Sequence, residues 1–387
     1  MAKRRKKTVE PVDQGDISFD FFKQEVDGDG VRVMTPLEVG DPTANRSGSY
    51  NLDYDLHIPF PAGRITEVFG EEGTCKTTLI LEVLGRAIQA GKVALYVNME
   101  KNLNLSLMRT VRTLRPYLDE AVTQMEEGVT GKCPLWIINA TSGEQALEAM
   151  KKFASMVPNS VAALDSIDAA QPSSVLSGEI GERKVGDLAR LMSDAMRKLI
   201  GVAEQNDVAL VFVNQVRDKI TMYGDPSTTP GGRAVKFYSS QRIRLKRPTA
   251  KQIITDVEGN RIGVIIPYKV VKNKVAPDGE EGTFPILFKN GIFREQELIT
   301  RCCNFAVLRM GGKGGKQVFL PKVDRETGEF IMEKGERVES CMTQFNAARR
   351  LLMDSTLASK LDKELQQALQ SGGHDPVDDL LDEIQDD

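Results

Sequence analysis

Histidines and paired cysteines are scarce in this 387-residue chain. Its only histidines are His57 and His374, and Cys75, Cys133, Cys302, Cys303 and Cys341 include no Cys-x-x-Cys pair, so a zinc site lacks ligands. Free thiols of a reducing compartment are the better reading. No run of about 18 apolar residues occurs, so no membrane-spanning helix is expected. The basic start, Met1–Lys7, is not followed by the apolar stretch of a signal peptide. A cytoplasmic protein is expected. No internal repeat is present. Excess positive charge is missing too: a net charge of −4 argues against a generally basic nucleic-acid binder.

The charge that is present is uneven. Lys3, Arg4, Arg5, Lys6 and Lys7 make a basic head, and Asp375, Asp378, Asp379, Asp382, Glu383, Asp386 and Asp387 an acidic tail. They read either as two solvated, disordered ends or as a phosphate-seeking arm opposed by a competing tail. The expected organisation is a disordered head over 1–15, an N-terminal segment over 16–50, a core over 51–290, a small C-terminal α/β domain over 291–370 and a tail over 371–387. The N-terminal segment carries an apolar cluster with Phe19, Phe21 and Phe22, then a Gly/Asp/Pro/Asn/Ser-rich stretch, Asp27–Tyr50.

From Arg64 the pattern alternates strand and helix. Ile65–Phe69, Val93–Val97, Leu135–Ile138, Val161–Leu164 and Val208–Val213 read as buried strands. Lys76–Ala90 and Leu105–Leu114 read as helices. Leu188, Leu191, Met192, Ala195, Met196, Leu199 and Ile200 form one face of another. This alternation predicts an α/β fold with a mostly parallel, doubly wound sheet. Arg242–Leu245 and Ile262–Val271 are expected as more exposed strands closing it. Beyond Asn290, Glu297–Leu308 and Thr343–Met353 read as helices around the Gly/Lys-rich loop Gly311–Lys316.

The run ITEVFGEEGTCKTTLI is a strand, then Gly70, Glu71, Glu72, Gly73, Thr74, Cys75, Lys76, Thr77 and Thr78, then a helix. That is a phosphate-binding loop in its proper setting. Backbone N–H groups at the helix start suit phosphate oxygens. Lys76 suits the β/γ oxygens and Thr77 a Mg²⁺ ion. Cys75 stands where glycine is usual. It costs backbone freedom but is small, and Gly73 lies two residues earlier. A loop that binds without hydrolysing stays open as an alternative. Asp165 ends the strand Val161–Leu164, where an acid can hold Mg²⁺ through water. Glu100 follows the strand Val93–Val97. It can orient or deprotonate an attacking water, and it reads equally as a solvated loop carboxylate.

Three further stretches are more specific: GEIGERKVGDLARLMSDAMRKL (178–199), VFVNQVRDKITMYGDPSTTPGGRAVKFYSS (211–240) and KVVKNKVAP (269–277). With the phosphate loop they make the chain resemble the RecA family over roughly residues 45–290, with a weaker echo beyond. The resemblance implies a RecA-like core with ATP and Mg²⁺ as cofactors. It implies a recombinase that forms helical filaments on single-stranded DNA and exchanges strands with homologous double-stranded DNA. Lys76 and Thr77 would bind the nucleotide and metal, Glu100 would be the catalytic carboxylate and Asp165 the metal-side one. Gln215 would sense the γ-phosphate, with Glu72 as its partner in the empty state. Lys272 and Lys274 would reach the nucleotide across a subunit interface.

Two DNA loops are implied, Ser177–Val185 with Gly178, Arg183 and Lys184, and Arg217–Gly232 with Arg217, Lys219, Gly231 and Gly232. Arg190, Arg197, Lys198 and Arg233 would add phosphate contacts, although by themselves they read as a solvated helix face. The N-terminal phenylalanines would dock on a neighbouring subunit or pack on their own domain, and that short cluster is more similar to phage-type recombinases than to the bacterial form. Single-strand-binding and loader proteins are implied partners, in a nucleoid or, for a viral chain, host cytoplasm. The chain departs from the family pattern at Cys75, at Asn98 and Asn104 where aspartates are usual, and at Leu107 where an adenine-stacking tyrosine is usual. Asp218 stands for a methionine in a loop one residue shorter. A ring helicase is disfavoured, because only about 60 residues precede the phosphate-loop strand.

Overall fold

Apolar runs and amphipathic stretches fold in turn into strands and helices. The structure, a computed structural model, describes Lys23 and residues 40–126, 133–177, 186–218, 227–256, 258–311, 317–324, 326–327, 329–334 and 336–370. The chain divides into two units, Met1–Pro42 and Thr43–Asp387, and of the first only Lys23 and residues 40–42 are described. The basic head, the Phe19–Phe22 cluster, Gly178, Arg183, Lys184, Lys219, most of the Gly311–Lys316 loop and the acidic tail lie outside the described residues.

In the second unit, α1 (Tyr50–Leu56) starts on Ser49, whose side chain accepts the Leu52 N–H. There follow β1 (Ile65–Gly70), α2 (Lys76–Gln89), β2 (Ala94–Asn98), α3 (Leu105–Arg109), α4 (Arg115–Glu126), β3 (Leu135–Ile138), α5 (Gly143–Met156) and β4 (Val161–Asp165). Next come α6 (Ser173–Leu176), α7 (Asp187–Gln205), β5 (Ala209–Gln215) and a short ribbon of β6 (Arg217–Asp218) and β7 (Ser227–Thr228). Then α8 (Gly232–Tyr238), β8 (Gln241–Leu245), β9 (Ile253–Thr255), β10 (Arg261–Asn273), β11 (Glu281–Leu287) and β12 (Gly291–Ile292) complete the sheet.

Its strand order is β12-β11-β10-β8-β1-β5-β4-β2-β3, with β9 on β10. The strands from β8 to β3 run parallel, and β9 to β12 are antiparallel. This is the mostly parallel, doubly wound sheet that the alternation predicted. Parallel strands need both faces covered, which is why β1, β2 and β4 are buried along their whole length. Helices α1 to α4 cover one face, over Val68, Val211, Val213 and Ile243. Helices α5, α7 and α8 cover the other, over Ile65, Leu164, Leu210 and Phe212.

Three local expectations differ. Arg242–Leu245 is an inner strand, β8, because β10 to β12 extend the sheet beyond it. The helix expected over Leu105–Leu114 stops at Arg109, and α4 starts afresh at Arg115, with Pro116 in its first turn where a missing N–H costs nothing. Helix α5, unforeseen, packs Ala146, Leu147, Met150, Phe153 and Ala154 inward.

Beyond β12, α9 (Arg294–Asn304), β13 (Met310–Gly311), β14 (Gln317–Pro321), β15 (Met332–Glu333), β16 (Glu336–Arg337), β17 (Glu339–Thr343), α10 (Gln344–Met353) and α11 (Ser355–Gln370) form a smaller layer. Its own apolar cluster includes Leu298, Ile299, Leu351 and Leu361, joined by Tyr50 of α1. One buried acid, Glu297, ties this layer to the core, and a second, Glu82, holds β12, the strand that leads into it. Glu297 accepts the Ser49 hydroxyl at 2.7 Å and the Tyr50 and Asn51 N–H groups at 3.1 and 3.4 Å, completing the start of α1. Burial raises its carboxyl to about 8. Glu82, midway along α2, accepts the Ile292 N–H at 2.9 Å and the Thr113 hydroxyl at 3.0 Å. Gly291 has φ +72°, and a Cβ there would lie 2.1 Å from the Glu82 carboxylate, so this approach requires glycine.

Candidate active site

In a doubly wound sheet, ligands gather beyond the carboxyl ends of the strands. Here the ends of β1, β2, β4 and β5 bring four groups of the predicted residues to that edge.

The loop after β1 turns back tightly. A Cβ on Gly70 would fall 2.4 Å from the Leu245 carbonyl oxygen, so only glycine fits. The Thr74 hydroxyl donates to the Glu71 carbonyl at 2.8 Å. Glu71, Glu72 and Gly73 are exposed, and Thr78 is half-buried in the first turn of α2. Gly73 has φ +74°, and Cys75, the residue in place of the usual glycine, has φ 58° and ψ 30°. It therefore adopts the left-handed conformation that glycine takes freely and other residues at a cost of about 1–2 kcal/mol. Burial raises the Cys75 thiol.

Lys76 is buried, and its ammonium donates to the Gly70 and Glu71 carbonyls at 3.0 and 2.6 Å. Burial lowers its pKa, opposed by Asp165, Glu100 and Glu72. The Thr77 hydroxyl and the Tyr96 hydroxyl both donate to Asp165 Oδ2 at 2.7 Å. Burial still raises the Asp165 carboxyl, against these two hydrogen bonds. Glu100 Oε1 accepts the Ser166 hydroxyl at 2.6 Å and Gln215 Nε2 at 3.2 Å, while Asn102 Nδ2 donates to Oε2 at 3.0 Å. The expected Glu72 partner of Gln215 is therefore replaced by Glu100. The Glu72 carbonyl instead accepts from Arg247 at 3.3 Å.

The donor set fits a magnesium nucleotide. Hard oxygens from Thr77 and Asp165 are what Mg²⁺ takes. Lys76 sits folded onto carbonyls of its own loop, where a phosphate would be a stronger acceptor.

Lys272 and Lys274 lie elsewhere. The Lys272 ammonium donates to the Lys236 and Phe237 carbonyls at 2.7 and 3.1 Å, and Lys274 to Phe237 at 3.5 Å. They hold the last carbonyls of α8, a favourable place for cations. Burial, then Lys274 and Arg242, bring Lys272 down to about 8.

Gly231 and Gly232, with φ +86° and +74°, seat the start of α8 on α7, where a Cβ on Gly232 would lie 2.9 Å from Ala189 Cβ. Arg190, Arg197, Lys198 and Arg233 are exposed, and Arg197 pairs with Asp194 at 2.7 Å. Arg217 lies in β6.

Sequence reading missed Tyr96, Ser166 and Asn102 as partners of the two acids. It also missed a buried ion pair at the centre of the sheet, Glu67 with Arg242, whose Nε lies 2.5 Å from Oε2. Glu67 inside the run ITEVFG, and Arg242 beside Ile243 in QRIRL, were the available signal.

A strand–loop–helix with Lys76 and Thr77, beside the carboxylate that ends β4, defines a P-loop nucleotide-binding protein. The RecA N-terminal domain family matches residues 37–293. Protein RecA of Aquifex pyrophilus is 34% identical over 317 residues, 80% of this chain and 84% of that one. Protein RecA of Aquifex aeolicus is 37% identical, over 76% of this chain and 80% of its own. Protein RecA of Thermus aquaticus is 35% identical, over 76% and 82%. The chain belongs to the RecA family. It is an ATP-dependent recombinase of DNA recombination and repair, and a DNA-dependent ATPase. The family uses ATP with Mg²⁺, binds single- and double-stranded DNA, and forms filaments. Among the described residues, no helix is long and apolar enough to cross a membrane.

Proposed function

We propose that this chain binds ATP and Mg²⁺ at the carboxyl edge of its sheet, assembles as a helical filament on single-stranded DNA and pairs it with homologous duplex. One observation carries the assignment of residues. Thr77 bonds to Asp165, the next residue Ser166 bonds to Glu100, and Glu100 bonds to Gln215, a continuous line of side chains beside the loop that holds Lys76.

ATP supplies the anhydride that is cleaved, and Mg²⁺ spreads the charge of its phosphate oxygens. Gly70 to Thr78 wrap the phosphates, with Lys76 exchanging loop carbonyls for phosphate oxygens. Thr77 and Asp165 would hold the metal, Asp165 by way of water. Glu100 orients and deprotonates the attacking water, held for this by Ser166 and Gln215. Gln215 reports the γ-phosphate to the loop that follows it. Lys272 and Lys274 serve the nucleotide of a neighbouring subunit, which makes hydrolysis depend on assembly.

DNA phosphates are met by the loops at 177–185 and 217–232, with Gly178, Arg183, Lys184, Arg217, Lys219, Gly231 and Gly232, and by Arg190, Arg197, Lys198 and Arg233. Such contacts make binding salt-sensitive and nearly independent of sequence. Base recognition comes from pairing with the second strand. Phe19, Phe21 and Phe22 dock on the adjacent subunit, and single-strand-binding and loader proteins act alongside in the cytoplasm.

Electron microscopy with long single-stranded DNA, with and without a slowly hydrolysed ATP analogue, tests the assembly. Continuous helical filaments that lengthen with nucleotide are expected; closed rings, or particles indifferent to DNA, would overturn it. For the chemistry, Glu100→Gln is expected to keep filaments and lower turnover about 100- to 1,000-fold. Undiminished turnover would remove Glu100 from its role.

A further inference from the structure

Strand β5 ends in two side chains that alternate across the sheet. Val211 and Val213 belong to the α2 face, and so does Gln215, which reaches Glu100. Asn214 turns to the opposite face, shared with α7 and α8, and is wholly buried. Its Nδ2 donates to Glu67 Oε1 at 2.9 Å and to the Pro230 carbonyl at 3.0 Å, and its Oδ1 accepts the Gln215 N–H at 3.0 Å. Both amide hydrogens and the oxygen are used, so the partners dictate which way the amide points.

Glu67 has no exposed surface. Its other oxygen takes Arg242, whose guanidinium lies 4.6 Å over the Phe69 ring. A carboxylate buried at this depth persists only with partners on both oxygens. Asn214 and Arg242 are those partners. Pro230 lies near the end of the stretch assigned to the second DNA loop, just ahead of the Gly231–Gly232 seat on α7. Its neighbour Thr229 has a buried hydroxyl with no partner, so the tie at this point runs through the Pro230 carbonyl.

We propose that Asn214 is a positioning residue that couples the two ligand sites: it fastens the end of the second DNA loop to the buried Glu67–Arg242 pair and, through the Gln215 N–H, to the strand end that faces the nucleotide. A displacement of the Gln215 backbone toward a bound phosphate moves the amide that holds Pro230. The DNA loop then changes position with the nucleotide state. This rests on the roles given above to Gln215 and to the loop.

The test uses the full chain, a fluorescent oligo(dT) and anisotropy at fixed salt, with and without a slowly hydrolysed ATP analogue. Nucleotide binding without DNA and the thermal midpoint are measured alongside. Asn214→Ala is expected to bind nucleotide within about twofold of the wild type and to lose about tenfold or more of the nucleotide-induced gain in DNA affinity. Asn214→Asp combined with Glu67→Gln keeps the buried charge, a hydrogen bond between positions 67 and 214, and a partner for Arg242. It leaves Pro230 without a donor. The same loss in this folded double variant supports the tie and excludes a merely structural role, and it decides the question if the alanine variant does not fold. A gain retained within about twofold in either folded variant, with the wild type showing one, overturns the proposal alone. No gain in the wild type would overturn the reading of the loop and Gln215, and the proposal with it.

Discussion

The nucleotide edge and the basic residues proposed for DNA are built on opposite plans. Lys76, Asp165 and Glu100 are held by hydrogen bonds within the chain, in partly or wholly buried surroundings. Arg190, Arg197 and Lys198 stand on the outer side of α7, with Arg190 80% exposed and Arg197 engaged by the surface Asp194 and the Ser193 carbonyl of its own helix. Geometry set in advance favours chemistry, because no reorganisation is needed at the moment of reaction. Exposed cations suit a long polyanion of any sequence, since their contribution comes from counterion release and is tuned by salt.

Replacing Lys76 by alanine should open the widest gap between the two plans. Two charge-assisted hydrogen bonds are lost, about 3–6 kcal/mol, so nucleotide binding should weaken about 100-fold or more and filaments should cease to respond to nucleotide. Titration with a fluorescent nucleotide and microscopy check both; undiminished assembly would break the proposed switch. At the other extreme of exposure, Arg190→Ala and Arg197→Ala should each lower the slope of log affinity against log salt by about 0.7 per lost phosphate contact. The fold should hardly respond, because a surface ion pair such as Arg197–Asp194 is worth about 0–1 kcal/mol. A salt slope that does not change would return these residues to an ordinary solvated face.

A buried acid outside both sites sharpens the contrast. Glu297 titrates near 8 when folded, far above an ordinary glutamate. Between about pH 4.5 and 8 the folded state therefore binds more protons than the unfolded one, and stability should fall as pH rises through that window. Glu297→Gln should flatten the decline in denaturant midpoints relative to the wild type; parallel curves would contradict the burial argument. Cys75→Gly should have the smallest effect. Relief of about 1–2 kcal/mol at the left-handed position is offset by about 0.4–1 kcal/mol of added freedom in the unfolded chain. A net change within about 1 kcal/mol is expected by chemical denaturation. Destabilisation beyond about 2 kcal/mol would show that thiol packing holds the loop.

Legibility followed sequence distance. The phosphate loop is contiguous, so Lys76 and Thr77 could be read with their neighbours; strand patterning placed Glu100 and Asp165 at strand ends, and the family resemblance added Gln215. Tyr96 read only as part of an apolar strand, and its bond to Asp165 spans 69 positions. Glu67 and Arg242 are 175 positions apart; each was a visible anomaly, but only the sheet order makes them a pair. Burial of β8 was missed for the same reason, since no local pattern tells a strand what lies beyond it. Helices α5 and α11 differ, because their apolar spacing, as in Leu357, Leu361 and Leu365, is legible in the sequence itself.

The bonds from Glu297 to the start of α1 make the smaller layer hard to trim away, and the strand leading into it is held by the bond from the Ile292 N–H to Glu82. A chain cut before residue 291 would leave that carboxylate inside α2 with one fewer donor, and the start of α1 would lose Glu297. The helix stripped in this way is the one that opens on Lys76. Anyone shortening the protein to its ATPase portion would do better to retain β12 and α9, treating the seam as shared masonry rather than as a hinge between separable parts.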